Sequence, residues 1–398
     1  MSTAPDNPNP PALSKRAMLL IELALAIGGF GIGTGEFATM GLMPAIAEGL
    51  GVSEPQVGHV ISAYALGVVV GAPLLAIMGS RLYRRHLLIG LMGFYALANV
   101  ASALAPGYHS LLVFRFIAGL PHGTYFGVAA LVVATLVPPD QRGKAVSRVM
   151  IGLTLAVLIG NPLATWLGQS VSWRYAFALV AGISVVTTAL ILLFVPLNRQ
   201  QPRNNPLSEM KAFNRPQVWL ALTMGATGFA GVFCVFSYLA PTLLEVTQVG
   251  QGWIPIAMAT FGLGGFMGNI VGGWLFDKFR FKGVGGVLIW SAAVLLLFPL
   301  ATAQLWSILL ATFLVGTVAA ISPILQTHLM DAAPGAETLA AASHHAAFNT
   351  ANALGPWLGG LAISAGFGWS STGYVGAATA FIGLAVFVFA LRLEPDAR

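Results

Sequence analysis

The sequence predicts an all-α membrane protein: twelve transmembrane helices in two pseudo-symmetric six-helix bundles. Three observations carry the prediction. Charged residues make up 8% of the chain and hydrophobic ones 57%; a soluble domain carries roughly 25% charge, and this chain has too little to cover a water-facing surface. Apolar runs recur at the length needed to cross a hydrocarbon layer roughly 30 Å thick. Finally, the second half of the chain repeats features of the first at a constant offset of 197 residues.

Residues 1–16 are polar and Pro-rich and read as a disordered cytoplasmic tail. The apolar run after Lys15 and Arg16 outlasts a signal-peptide core of about 7–15 residues and lacks an obvious A-x-A cleavage site, so it reads as the first span. Polar breaks delimit spans at 18–45, 56–79, 86–105, 110–135, 145–168 and 173–195, which form an N-terminal bundle, 17–196. The polar stretch 197–215 reads as a cytoplasmic linker. Spans at 217–243, 253–276, 284–303, 306–329, 338–364 and 371–392 form a C-terminal bundle, 216–393, and 394–398 is a short cytoplasmic tail. The single Cys234 excludes an internal disulfide framework.

Lys and Arg set the orientation. With the amino terminus in the cytoplasm, seventeen of the nineteen basic residues fall in cytoplasmic segments; Arg174 lies on the far side and Arg115 inside a span. Both termini are therefore expected in the cytoplasm, in the cell (inner) membrane. Basic loops facing anionic lipid also account for the net charge of +6 without a nucleic-acid partner.

At the 197-residue offset Pro44 pairs with Pro241, Glu48 with Glu245, Gly67 and Gly71 with Gly264 and Gly268, Arg81 with Lys278, and Gly119 with Gly316. Duplicated halves imply a substrate site between them near the bilayer midplane and a rocking of one half against the other. One chain holds both halves, so a monomer suffices.

Ala76-x-x-x-Ser80-Arg81-x-x-Arg84-Arg85 resembles the G-x-x-x-D-R-x-G-R-R/K loop signature of the major facilitator superfamily, repeated as Gly273-x-x-x-Asp277-Lys278-x-Arg280-x-Lys282. Arg115-x-x-x-Gly119 is similar to the family's membrane-embedded arginine motif. Gly152-x7-Gly160-Asn161-Pro162, followed by Gly168, is similar to the Gly/Pro motif of its drug:proton antiporter group. The segments 58–73, 119–128 and 172–177 (GHVISAYALGVVVGAP, GLPHGTYFGV, SWRYAF) resemble the arabinose efflux permease (AraJ-like) branch. The resemblance implies export of a small molecule in exchange for protons, with Arg81, Arg84, Arg85, Asp277, Lys278 and Arg280 in gating loops. The chain departs from the signature at Ser80, where Asp is expected, at Tyr83, near the expected Gly, and at Asn161, which separates Gly160 from Pro162. The resemblance thereby leaves Asp277 as the better-preserved loop latch.

Ionisable groups inside a bilayer are costly and by default face a cavity or a partner. Glu36 lies about 13 Å below the outer edge of its span and Arg115 about 8 Å below the same edge, at 1.5 Å per residue. The depths allow the Arg side chain to bridge them. Desolvation would favour neutral Glu36 and a nearby guanidinium the charged form, so the pair reads as a proton-coupling site or, alternatively, as a fixed clamp between helices. Glu22, a turn from the membrane edge, reads as snorkelling to water.

Arg115, Gly119 and His122 share one helix face, as do His345, Asn349 and Asn352 on the eleventh span. With Asn161 and Tyr238, the residues His122, His345, Asn349 and Asn352 are candidates for a substrate cavity; the alternative is interhelical hydrogen bonding. Phe229, Phe233 and Phe236 line a pocket or simply pack. His344 and His345 point about 100° apart and do not form a metal pair. The G-x-x-x-G spacings at Gly67/Gly71 and Gly264/Gly268 read as close helix packing. No G-x-x-x-x-G-K-[S/T], H-E-x-x-H or G-x-S-x-G motif occurs, which argues against an ATP-driven pump or an enzyme, and no cofactor or metal is expected. The residues point to a secondary transporter for a small neutral or amphipathic compound such as a drug, sugar or nucleoside. A proton symporter or facilitator is the alternative within transport, and a ligand sensor without flux the alternative outside it.

Overall fold

The computed structural model describes residues 14–79, 81–138, 141–197, 215–333 and 337–393. The expectations for Ser80, for most of the two tails and for most of the 197–215 linker lie outside them. All described elements are helical. Twelve long helices follow in order: α1 Lys15–Gly41, α2 Glu54–Gly79, α3 Arg84–Ala103, α4 Tyr108–Thr135, α5 Arg142–Ser170, α6 Trp173–Phe194, α7 Pro216–Ser237, α8 Trp253–Phe279, α9 Lys282–Ala301, α10 Leu305–Ala332, α11 Glu337–Ser364 and α12 Ser371–Leu393. All but α11 are long and apolar enough to span a bilayer. In α11, 28 residues long, His344, His345, Asn349 and Asn352 interrupt the apolar run. A helix so interrupted needs other helices around it, and α11 packs on α2, α7, α10 and α12. Outward-facing Leu97 (71% exposed), Leu193 (74%) and Leu300 (74%) belong to the apolar belt that a bilayer covers.

Each half begins in the same broken way. After α1 the chain kinks at Leu42 and continues as the short helix Met43–Leu50, with Pro44 in its first turn, where no N–H is needed, and Gly51 closing it at φ 64°. After α7 it kinks at Tyr238 and continues as Leu239–Glu245, with Pro241 at the matching place. The predicted spans 18–45 and 217–243 each run through this kink. Further breaks divide α4 after Gly119 and α10 after Thr317. In α5, residues Ala156–Gly160 widen into a π turn just before Pro162. The Pro ring has no N–H and collides with the carbonyl four residues back, and the wider turn relieves both.

The duplicated glycines make duplicated contacts. A methyl on Gly67 or Gly71 of α2 would strike the carbonyls of Phe116 and Leu120 of α4; one on Gly264 or Gly268 of α8 would strike those of Phe313 and Thr317 of α10. Each pair of partners is itself 197 residues apart. Gly119 and Gly316 answer from the opposite side, against the carbonyls of Tyr64 and Phe261.

The halves meet along α2–α11 and α5–α8. At the end of the molecule where α1 finishes, Phe37, Met40, Ile46, Val57, Leu111 and Trp173 of the first half join one continuous apolar core with the second half. Toward the other end, Ile21, Leu25, Tyr125, Val149 and Ile191 belong to a separate core confined to the first half. Among the described residues the halves thus share an apolar core at the end where α1 finishes, the sealed end, and not at the other.

Candidate functional site

The seam between α1 and α11 holds the buried carboxyl. Glu36, 6% exposed, accepts a hydrogen bond from Asn352 Nδ2 at 2.9 Å, one residue from each half. Beside it, Ser62 Oγ of α2 donates to the Ala353 carbonyl at 2.7 Å. Further toward the sealed end, the Tyr238 hydroxyl donates to the Pro356 carbonyl at 2.7 Å and fills the space left by Gly58 and Gly360. Phe37 stacks on Phe233 with centroids 6.4 Å apart. At the 197-residue offset Phe233 occupies the counterpart of Glu36, so the carboxyl of one half is answered by an aromatic ring in the other.

Arg115 is fully buried in α4 and does not pair directly with Glu36, which corrects the bridge expected from their depths. Its Nη2 donates to the Gly35 carbonyl at 2.6 Å, its Nη1 to Asn99 Oδ1 at 3.4 Å, and its guanidinium lies 4.2 Å from the Tyr64 ring centroid and 5.1 Å from that of Phe177. The reason is packing. α4 lies against α2 and α3 inside its own half, and Gly35 leaves room for the Tyr95 hydroxyl, so the guanidinium reaches the backbone of α1 while the Glu36 side chain faces the other half. A flat, weakly hydrated cation suits such a ring-lined site. Tyr64 extends the network: its hydroxyl lies 3.0 Å from His122 Nδ1 and 3.4 Å from the Tyr95 hydroxyl, which donates to the Ile32 carbonyl at 3.2 Å.

The remaining cavity candidates divide. His345 stacks on Phe126 across the seam at 5.9 Å. Asn349 spends its amide on the His345 carbonyl at 3.0 Å. Asn161, in the turn after the π segment, accepts from Thr165 Oγ1 at 3.4 Å. Asn349 Oδ1, Asn352 Oδ1 and Asn161 Nδ2 are buried without a partner, the condition that a polar ligand or water relieves. Tyr238 lies outside this group, as part of the seal, and His344 bonds to Ser322 Oγ at 3.0 Å.

Among the described residues the one ion pair is Arg148–Glu22 at 3.0 Å. Glu22 is buried at 3% exposure, so the snorkelling read from its position is corrected: α5 brings Arg148 to it. At the loops, Arg85 Nη2 caps the end of α6 by donating to the Leu192 carbonyl at 2.6 Å, while Arg81 is exposed and Arg84 half-buried. Lys278 lies over Trp274 at 5.1 Å and Arg280 over Phe276 at 5.0 Å. Asp277 is exposed and forms no ion pair among the described residues. Sequence reasoning missed Tyr64, Tyr95 and Asn99. Of these, Asn99 alone carried a signal, as an amide inside an apolar span.

A twelve-helix membrane bundle of two repeats, with a buried carboxyl held across the seam between them, defines a membrane transport protein. The profile of the Major Facilitator Superfamily matches residues 25–287 and 250–398, and the chain belongs to that family, a family of transporters. It is 37% identical over 375 residues to the inner membrane transport protein YdhP of Escherichia coli (strain K12), covering 94% of this chain and 96% of that protein. It is 34% identical over 355 residues to AraJ of the same strain, covering 89% and 90%. It is 33% identical over 343 residues to the chloramphenicol resistance protein of Streptomyces lividans, covering 83% and 86%. The fold matches that of a bacterial homolog of the human lysosomal transporter Spinster, in an inward-facing, occupied conformation, with a TM-score of 0.75 at 17% identity over 97% of this chain and 99% of that one.

Proposed function

We propose that the chain exports a small neutral or amphipathic compound in exchange for protons, by alternating access about the seam between its halves. The observation that carries this reading is the Glu36–Asn352 hydrogen bond, a carboxyl of one half held by an amide of the other within the membrane span. An ionised carboxylate only accepts hydrogen bonds, and Asn352 leaves lone pairs free on it; a protonated carboxyl also donates. A substrate that brings N–H or O–H donors is therefore bound more tightly by the ionised form than by the protonated one, which keeps less acceptor capacity. Competition of proton and substrate at one group is the minimum an exchanger requires. The unpartnered acceptors Asn349 Oδ1 and Asn352 Oδ1 and the donor Asn161 Nδ2 favour a ligand with neutral donors and acceptors, and Phe37, Phe126 and Phe233 favour one with an apolar face. Arg115 stands beside this site, hydrogen-bonded to the Gly35 carbonyl, without direct contact to the Glu36 carboxyl.

The sealed end is the one that the Lys and Arg pattern places outside, which makes the described arrangement closed to the exterior, with both termini in the cytoplasm. The names of the relatives, an inner membrane transport protein and a chloramphenicol resistance protein, support an inner-membrane exporter with a drug-like substrate. Accumulation of antibiotics, nucleosides and sugars in cells with and without the gene tests the direction. Export predicts lower accumulation of at least one compound, abolished by a protonophore; higher accumulation driven by the proton gradient would establish symport instead.

A further inference from the structure

Two apolar grooves open on the flank of the second half, and both begin at Lys282. One, about 560 Å³, runs between α8, α9 and α10 from Lys282 past Gly286 to Trp290. The other, about 660 Å³, runs between α9 and α12 from Lys282 and Gly286 along Leu384 and Val388. The start of α9, Lys282-Gly283-Val284-Gly285-Gly286, explains why they meet. Gly285 lets Phe387 of α12 close on the helix, whereas a methyl on Gly286 would meet no atom within 4 Å. α9 is thereby a thin ridge with a groove on each side and a cation at its head. Lys282 is exposed and has no ion pair among the described residues. Lys278 and Arg280 stand in the same turn and outnumber its one acid, Asp277.

We propose that this ridge binds an anionic diacyl phospholipid of the surrounding bilayer, with one acyl chain in each groove and the headgroup on Lys282. Two grooves that converge on one cation match two chains that converge on one anionic headgroup. A single-chain amphiphile leaves one groove empty, and a zwitterionic headgroup leaves the basic turn without a net counter-charge. The site lies apart from the Glu36–Asn352 seam: α9 packs on α8, α10, α12 and the start of the second bundle.

Trp290, at the far end of the first groove, supplies the probe. The full chain is placed in phosphatidylcholine nanodiscs that carry an equal small fraction of brominated phosphatidylglycerol or brominated phosphatidylcholine. Quenching specific to the groove is the difference between the wild type and Trp290→Phe. The proposal expects the anionic lipid to reach half-maximal quenching at a roughly fivefold lower fraction, the preference one Lys gives at an anionic surface. Lys282→Gln removes that preference, and Gly286→Leu, which fills the open space, lowers quenching by either lipid. Equal quenching by the two headgroups in the wild type, or quenching unchanged in Gly286→Leu, overturns the site. Competition by lyso-phosphatidylglycerol as strong as that of the diacyl lipid overturns the two-chain assignment. The wild type compared with Trp290→Phe decides the headgroup even where Lys282→Gln or Gly286→Leu fails to reconstitute.

Discussion

Glu36 and Arg115 were visible in the sequence because a charge inside an apolar run breaks the rule the rest of the run obeys. Their partners were not. Asn352 lies 316 residues from Glu36, and only the packing of two halves brings them together; the Gly35 carbonyl that Arg115 holds leaves no side-chain signature at all. Tyr64 and Tyr95 look like ordinary core aromatics until the hydroxyl positions are known. Asn352→Ala should remove the hydrogen bond to the Glu36 carboxyl, about 0.5–3 kcal/mol, and loosen the seam. A Cys replacing buried Ser62, whose hydroxyl bonds the carbonyl of the neighbouring Ala353, should then react with maleimide about tenfold faster than in the Asn352 background; the native Cys234 is buried and contributes little. Arg115→Lys keeps the charge and loses the flat guanidinium that lies over Tyr64 and Phe177. Transport should fall by about tenfold or more while the protein still purifies as a monodisperse species, measured as substrate uptake into inverted vesicles.

The helices themselves were legible almost to their ends, because length and apolarity are what a bilayer demands. The kinks were not, since each follows from a local conflict. Pro162 opens a π turn in α5, and the breaks in α4 and α10 occur at matching positions, the first with Pro121 in it and the second with Pro323 three residues beyond it. The glycine pairs pack closely, as their spacing predicts: Gly67 and Gly264 each lie under a carbonyl of the partner helix in their own half. Gly67→Leu and Gly264→Leu should therefore lower the thermal midpoint by similar amounts, corresponding to about 1–3 kcal/mol or more of overpacking each. Gly90→Ala on α3, where a Cβ meets nothing within 4 Å, should instead leave the midpoint unchanged or raise it, by up to about 1 kcal/mol. A thermal-shift assay in detergent compares the three directly.

The molecule as a whole is a duplicated scaffold with unduplicated chemistry. Glu36 faces Phe233 at the repeat offset, and Arg115 faces Thr312, a buried hydroxyl with no partner. The fusion of the two halves into one apolar core at a single end, with a separate core toward the other, is a property no local sequence pattern carries, because the same residues would pack within each half in any arrangement. The anticipated latch at Asp277 likewise depends on how the halves stand, and in this arrangement Asp277 is unpaired among the described residues. Coupling in this scaffold rests on one carboxyl, and that is where it is most open to test. Purified chain in proteoliposomes, loaded with a transported compound and a lumenal pH dye, should move protons only when the compound is present. Glu36→Gln, which keeps one acceptor oxygen but cannot exchange a proton, should bind the compound more weakly and lose at least nine-tenths of the compound-dependent proton flux, a change of about tenfold or 1.4 kcal/mol. Compound-dependent proton flux in Glu36→Gln equal to that of the wild type would contradict the account.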